Sequence, residues 1–169
     1  HAALRFSYDR LGEGARTEHD AERYLAAYQG AISAIAANKA DSPQNADGIS
    51  IKLSALFCRY EDAPRERVFA TLLPRVWTLI DAAARANMNL TIDAEEVDRL
   101  ELSLDVLEAL AARIAQTHPQ WQGFGLAIQA YQTRAIEVID EVARIAKANN
   151  LRFMVRLVKG AYWDGEIKR

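Results

Sequence analysis

The chain has 169 residues, half of them hydrophobic and 26% charged, a balance that suits one soluble globular domain. Its formal net charge of −2 gives no strong overall attraction to nucleic acid or an anionic membrane surface. The lone cysteine, Cys58, rules out an internal disulfide, no Cys/His cluster has zinc spacing, and no run nears the roughly 18 apolar residues that span a bilayer.

In chain order, residues 4–11 read as a first strand. Thr17 and Asp20 then suit a helix start, as N-cap and first-turn acid, and Tyr24, Leu25, Tyr28, Ile32 and Ile35 share one stripe. Residues 48–56 form the second expected strand. A helix from about Pro64 follows, with Val68, Leu72, Val76, Leu79, Ile80 and Ala83 on its apolar face and Pro74 inside as a kink point. Residues 88–95 are the third strand, before a helix carrying Leu102, Val106, Leu107, Leu110 and Ile114. Residues 124–129 are the fourth, before a helix carrying Ile136, Ile139, Val142, Ile145 and Ala146. Residues 152–158 are the fifth, and a further helix is expected to be starting at residues 166–169. Both ends read as cuts in a longer chain: no signal layout opens it, and no Gly or Pro closes the last helix.

Strands alternating with helices imply parallel strands and right-handed crossovers. An open doubly wound sheet and part of an eight-stranded barrel both fit. The first strand-to-helix turn lacks a Gly-x-Gly-x-x-Gly fingerprint, which disfavours a dinucleotide fold. Each strand ends in polar groups, as at Asp9, Lys52, Asp93, Gln129 and Arg156, and barrels carry their chemistry at that end. The barrel is the favoured reading: a partial (β/α)8 TIM-type barrel of about five βα steps, helices outside.

Strand alternation sets Lys52 with Ser50 and Ser54, Asp93 with Thr91 and Glu95, and Arg156 with Met154 and Val158. A charged side chain in mid-strand is costly to bury unless paired or solvated, so Lys52, Asp93 and Arg156 are expected to meet at a polar cavity. A structural salt-bridge cluster is the plain alternative. Three chemistries remain open on these residues alone. Lys52 with a depressed pKa could form a Schiff base. Asp93 with Glu95 could hold magnesium. Lys52 and Arg156 could bind a carboxylate or a cofactor phosphate. His1, His19 and His118 are expected to be solvated, and Cys58 incidental.

The run Arg156-Leu157-Val158-Lys159-Gly160-Ala161-Tyr162-Trp163-Asp164 resembles the motif after the fifth strand in the proline dehydrogenase domain of the bifunctional proline utilisation A flavoenzymes. Four more segments match in order: 6–13, 49–56, 92–96 and 128–132. The resemblance covers essentially the whole chain. It implies residues 1–169 as the N-terminal part of a (β/α)8 barrel, truncated after strand five. It implies noncovalent FAD, oxidation of L-proline to Δ1-pyrroline-5-carboxylate, and electrons passed to a membrane quinone. It further implies a cytoplasmic protein that associates peripherally with the membrane when reduced. NAD would serve only a second, aldehyde-oxidising domain outside this chain.

Residue by residue, the resemblance assigns Lys52 to the proline carboxylate and Arg156 to the reactive flavin nitrogen. Gln129 would bond the isoalloxazine edge. Val158, Lys159 and Gly160 would contact the flavin, with Trp163 packed nearby. Tyr162 would wall the proline pocket, Asp93 would orient, and Glu13 would gate by pairing with a later arginine. Ala15 would lie near bound ligand. Phe57-Cys58, Arg10 and Gly165 stand where the family usually has His-Pro, Met and Ser, which puts loop shape in question. A catalytically incomplete half-barrel and a Schiff-base lyase using Lys52 are the competing readings.

Overall fold

The computed structural model describes residues 4–9, 14–38, 40–60 and 63–162. Five strands, β1 (Ser7–Asp9), β2 (Gly48–Ile51), β3 (Asn89–Ile92), β4 (Phe124–Gln129) and β5 (Arg156–Val158), make one sheet in consecutive order, each parallel to its neighbours. Helices α1 (Glu18–Ala36), α2 (Leu53–Leu56), α3 (Arg65–Arg67), α4 (Leu73–Arg85), α5 (Leu100–Thr117) and α6 (Ala135–Ala148) lie between them. The long helices touch in sequence order, α1 on α4, α4 on α5 and α5 on α6, so they line one side of a curled half-barrel.

Local sequence explains these elements. Thr17 does more than cap α1. Its hydroxyl accepts the Asp20 N–H at 3.1 Å while Asp20 Oδ2 accepts the Thr17 N–H at 3.0 Å, a reciprocal capping box. Between α3 and α4 runs a π-helical turn, Val68–Leu72, in which the Leu73 N–H reaches the Val68 carbonyl. It sits immediately before Pro74, whose ring would crowd a regular turn, and so replaces the kink expected inside a single helix. The core lies between sheet and helices. Ile49, Ile51, Leu90 and Phe124 face Tyr28, Leu79, Ile80, Leu107 and Leu110, all 1% exposed or less. Each such side chain contributes about 1.5–3 kcal/mol on burial.

Several strand bounds and one helix stripe need correcting. The second strand does not run to residue 56. It ends at Ile51, and Leu53–Leu56 coil into α2. The first ladder begins at Ser7 rather than residue 4, residues 10 and 11 lying outside the described residues, and the third, Asn89–Ile92, and fifth, Arg156–Val158, are shorter than expected. On α6 the buried stripe is Val138, Val142 and Ile145, while Ile136 and Ile139 face outward. Among the described residues the exposed large apolar side chains, Val97 apart, fall on the first and last elements of the half-barrel. Leu4, Phe6 and Tyr8 lie at β1, Val155 and Leu157 at β5, and Ile136 and Ile139 on α6.

Candidate active site

The C-terminal strand ends converge on one charged cluster. Lys52 Nζ donates to Asp93 Oδ2 at 2.9 Å and to Asp9 Oδ1 at 3.1 Å. The other Asp93 oxygen accepts from Arg156 Nη2. Arg156 Nη1 reaches Ser50 Oγ at 3.1 Å and Ser7 Oγ at 3.3 Å. The Lys52 and Asp93 side chains are 14% and 12% exposed, whereas Asp9 and Arg156 are 47% and 40% exposed and open to the mouth. Two cations face two carboxylates, so the cluster is close to neutral.

Backbone placement explains the convergence. In the parallel ladder Ser7 and Asp9 pair with Gly48 and Ser50, so alternate residues of β1 and β2 share the concave face. The chain leaves β2 at Lys52, whose N–H donates to the hydroxyl of the fully buried Tyr28 on α1 at 3.2 Å. Asp93 follows β3, and its N–H still bonds the Ile51 carbonyl at 2.9 Å.

Burial works against the charge on Lys52. Hydrogen bonds and charges from Asp93, then Asp9, outweigh it and hold the ammonium well above the ordinary lysine pKa. A Schiff-base lysine needs the opposite shift. Both Asp93 oxygens are engaged by cations, and Glu95 Oε1 accepts the Ser54 N–H at 3.1 Å, so this pair is not arranged to hold magnesium.

Gln129 is 3% exposed at the end of β4. Its Nε2 donates to the Glu95 carbonyl at 2.9 Å, and its Oε1 accepts the Ala161 N–H at 3.1 Å. The Val158 and Lys159 carbonyls accept from Ala130 and Tyr131, which ties the β5 loop to the β4 loop. Gly160 has φ +121, and a Cβ there would lie 2.1 Å from the Tyr131 ring, so both conformation and space require glycine. Tyr162 is half-buried just beyond. Ala15 is buried, and its N–H donates to the Ser54 carbonyl at 2.8 Å, docking the β1 loop on α2. Glu13 and Trp163 lie outside the described residues.

Sequence reasoning missed Asp9, Ser7, Ser50 and Tyr28 as site residues. Asp9 was visible as a strand-end acid, but only strand register shows that it meets Lys52. His118 is also corrected. It is not solvated but pairs with Asp81 at 2.7 Å and stacks on Trp77, away from the mouth.

Parallel strands in consecutive order, helices outside and a polar cluster at the carboxyl ends define a (β/α)-barrel domain. A family model described as Proline dehydrogenase matches residues 1–169, and the chain belongs to that family. Over 167 residues it is 49% identical to the bifunctional protein PutA of Salmonella typhimurium and to that of Escherichia coli, covering 98% of this chain and 12% of each relative. It is 29% identical over 154 residues to proline dehydrogenase 1 of Bacillus subtilis, 91% of this chain and 43% of that protein. A crystal structure of a mutant Bradyrhizobium japonicum proline utilization A superposes with a TM-score of 0.92 at 52% identity, covering 98% of this chain and 17% of that one. The chain thus spans about an eighth of the length of the PutA relatives.

Proposed function

We propose that the mouth of this half-barrel is the substrate end of an FAD-dependent proline dehydrogenase, which oxidises L-proline to Δ1-pyrroline-5-carboxylate. The observation that carries the reading is the cluster of Lys52, Asp93 and Arg156. An ammonium has three N–H donors, and among the described residues Asp9 and Asp93 take two of them. The third is left for a carboxylate, and the raised pKa keeps Lys52 charged to meet it. A near-neutral mouth suits a zwitterionic amino acid, which brings no net charge. Asp9, the more exposed partner of Lys52, is the one a substrate carboxylate displaces or joins.

The residues fit a flavin edge. Among the described residues the Gln129 amide keeps one N–H and one lone pair after its two bonds, and can meet a ring edge that alternates acceptor and donor. FAD held along this edge would supply the hydride acceptor for proline oxidation. Arg156 then supplies a fixed cation where negative charge accumulates, held by Asp93, Ser50 and Ser7 so that little reorganisation is needed. Val158, Lys159 and Gly160 form the wall beside it, Tyr162 closes the proline side, and Ala15 holds the β1 loop over the pocket. Glu13 and Trp163 complete the gate and the flavin packing in this reading. The same charge that suits Lys52 to a carboxylate disfavours the lyase alternative.

We assign residues 1–169 to the first five strands of an eight-stranded barrel. The apolar side chains exposed at β1 and β5 support this, since later elements of a barrel cover those faces. In this reading the final electron acceptor would be a membrane quinone, met by a cytoplasmic enzyme at the membrane surface. No helix among the described residues is long and apolar enough to cross a membrane.

The test compares residues 1–169 with the protein that carries a complete barrel, each given FAD and L-proline, by reduction of a dye acceptor. The complete-barrel protein should turn over, and residues 1–169 should show negligible activity. No proline-dependent reduction by the complete-barrel protein would overturn the assigned reaction.

A further inference from the structure

Lys52 occupies the N-cap position of α2 in extended backbone, φ −109 and ψ 131, yet its side chain makes no cap bond. The side chain is spent on Asp93 and Asp9. An N-cap side chain normally serves the N–H of the second or third helical residue. Here Ser54, the second residue of α2, donates that N–H to Glu95 Oε1 at 3.1 Å, a group supplied by the loop after β3.

Glu95 is itself fixed from several directions. Its carbonyl accepts Gln129 Nε2 at 2.9 Å, and Gln129 Oε1 accepts the Ala161 N–H at 3.1 Å. On the other side Ser54 Oγ accepts the Gly14 N–H at 3.3 Å, and the Ser54 carbonyl accepts the Ala15 N–H at 2.8 Å. One continuous belt of hydrogen bonds thus joins the loops after all five strands, with the Glu95 carboxylate as its link between the second and the third. The negative charge of Glu95 also adds to the rise that burial causes in the pKa of the buried Tyr60.

We infer that Glu95 is a positioning residue for Lys52: it caps α2 from the loop after the neighbouring strand, so that Lys52 can hold the N-cap backbone position while its ammonium points to the substrate carboxylate. This rests on the reading of Lys52 as the carboxylate anchor. Tyr28 fixes the amide of Lys52 itself, and Glu95 fixes the amide two residues on, so the side chain leaves a backbone held at both points. Without the second bond the short helix is free to reset, and Lys52 lands away from its target. Loss of a contact that holds substrate and transition state alike raises KM and leaves kcat nearly unchanged.

The experiment measures KM and kcat for L-proline in the complete-barrel protein carrying Glu95→Ala, Glu95→Gln, Lys52→Ala, or Glu95→Ala with Lys52→Ala. Glu95→Ala should raise KM about tenfold, with kcat changed by less than about twofold, as expected for loss of one charge-assisted bond on the binding side. Glu95→Gln keeps an acceptor oxygen and should return KM to within about threefold of wild type. The double variant should have the KM of Lys52→Ala alone, because Glu95 acts through Lys52. A wild-type KM in Glu95→Ala, or additive KM effects in the double variant, would overturn the inference. A purely structural role would lower Tm and leave KM alone. If Glu95→Ala does not fold, Glu95→Asp, which withdraws the oxygen from Ser54, must show the raised KM, and a normal KM there overturns the inference equally. A wild-type KM in Lys52→Ala would instead sink the anchor reading itself.

Discussion

Arg156 on β5 hydrogen-bonds Ser7 on β1, with Nη1 3.3 Å from Oγ across 149 positions of sequence. In a flat sheet the first and fifth strands stand about 19 Å apart, four spacings of roughly 4.8 Å. One arginine side chain cannot bridge that gap. The sheet is therefore curled enough for the last strand to address the first across the concave face. That curl lets Arg156 of β5 share a single carboxylate, Asp93, with Lys52, the residue after β2.

Asp93 should be the least replaceable member of the cluster. Among the described residues, Asp93→Ala leaves Arg156 without a carboxylate partner and Lys52 with Asp9 alone. Removing one partner of a largely buried pair costs roughly 3 kcal/mol. The complete-barrel protein carrying it should melt several degrees lower and lose about 100-fold or more in kcat/KM for proline. Melting and turnover within error of wild type would count against the shared role of Asp93.

Lys52 should not form an imine. Its folded pKa is raised, so the ion pairs contribute stability in full below the ordinary lysine value of 10.5 and lose it only as pH rises through the higher folded value. Across neutral pH the amine stays protonated. Treatment with a small carbonyl compound and borohydride, followed by peptide mass mapping, should find the Lys52 peptide unmodified. A reduced adduct there would revive the lyase reading.

The Asp81–His118 pair predicts an acid-side effect far from the mouth. Hydrogen bonds from Arg85 and then His118 lower the Asp81 pKa below its ordinary 3.8. The stability this contributes is present above 3.8 and disappears as pH falls through the lower folded value. Asp81→Asn should therefore cost about 1 kcal/mol at pH near 7 and progressively less toward pH near 3. Thermal melts of both proteins at the two pH values read the difference. A gap that stays constant with pH would show that the carboxylate charge is not involved.

The exposed apolar rims predict association of the isolated half-barrel. Phe6 and Tyr8 on one rim and Leu157 on the other are about half exposed or more, beside unpaired strand edges. Residues 1–169 alone should sediment as oligomers at micromolar concentration, and Phe6→Ser with Leu157→Ser should shift them toward monomer. A monodisperse monomer would mean that the rims are otherwise covered.

Much of the fold was legible because it depends on local pattern. Phe124–Gln129 is a strand with the expected bounds, and Thr17 begins α1 as its type predicts. The misses arise where tertiary contacts override pattern. Ser54, Ala55 and Leu56 extend the segment 48–56 that reads as strand. The Tyr28 hydroxyl and the Glu95 carboxylate, from other elements, turn the backbone into α2. On α6, Ile136 and Ile139 fit an apolar stripe, but Val138 lies on the side that faces β4. The convergence of Lys52, Asp93 and Arg156 followed from strand alternation. The part played by Asp9 and Ser7 did not, because it depends on the curl that brings β1 round to β5.

The most direct test is an anaerobic titration of the FAD-loaded complete-barrel protein with L-proline, following the visible flavin absorbance in wild type and Lys52→Met. The account predicts full bleaching of the wild type. It also predicts that Lys52→Met, with unchanged flavin content, needs at least about tenfold more proline for half-bleaching, the loss expected for one charge-assisted bond to the carboxylate. A wild type that does not bleach, or a Lys52→Met protein that bleaches at the wild-type proline concentration, would contradict it.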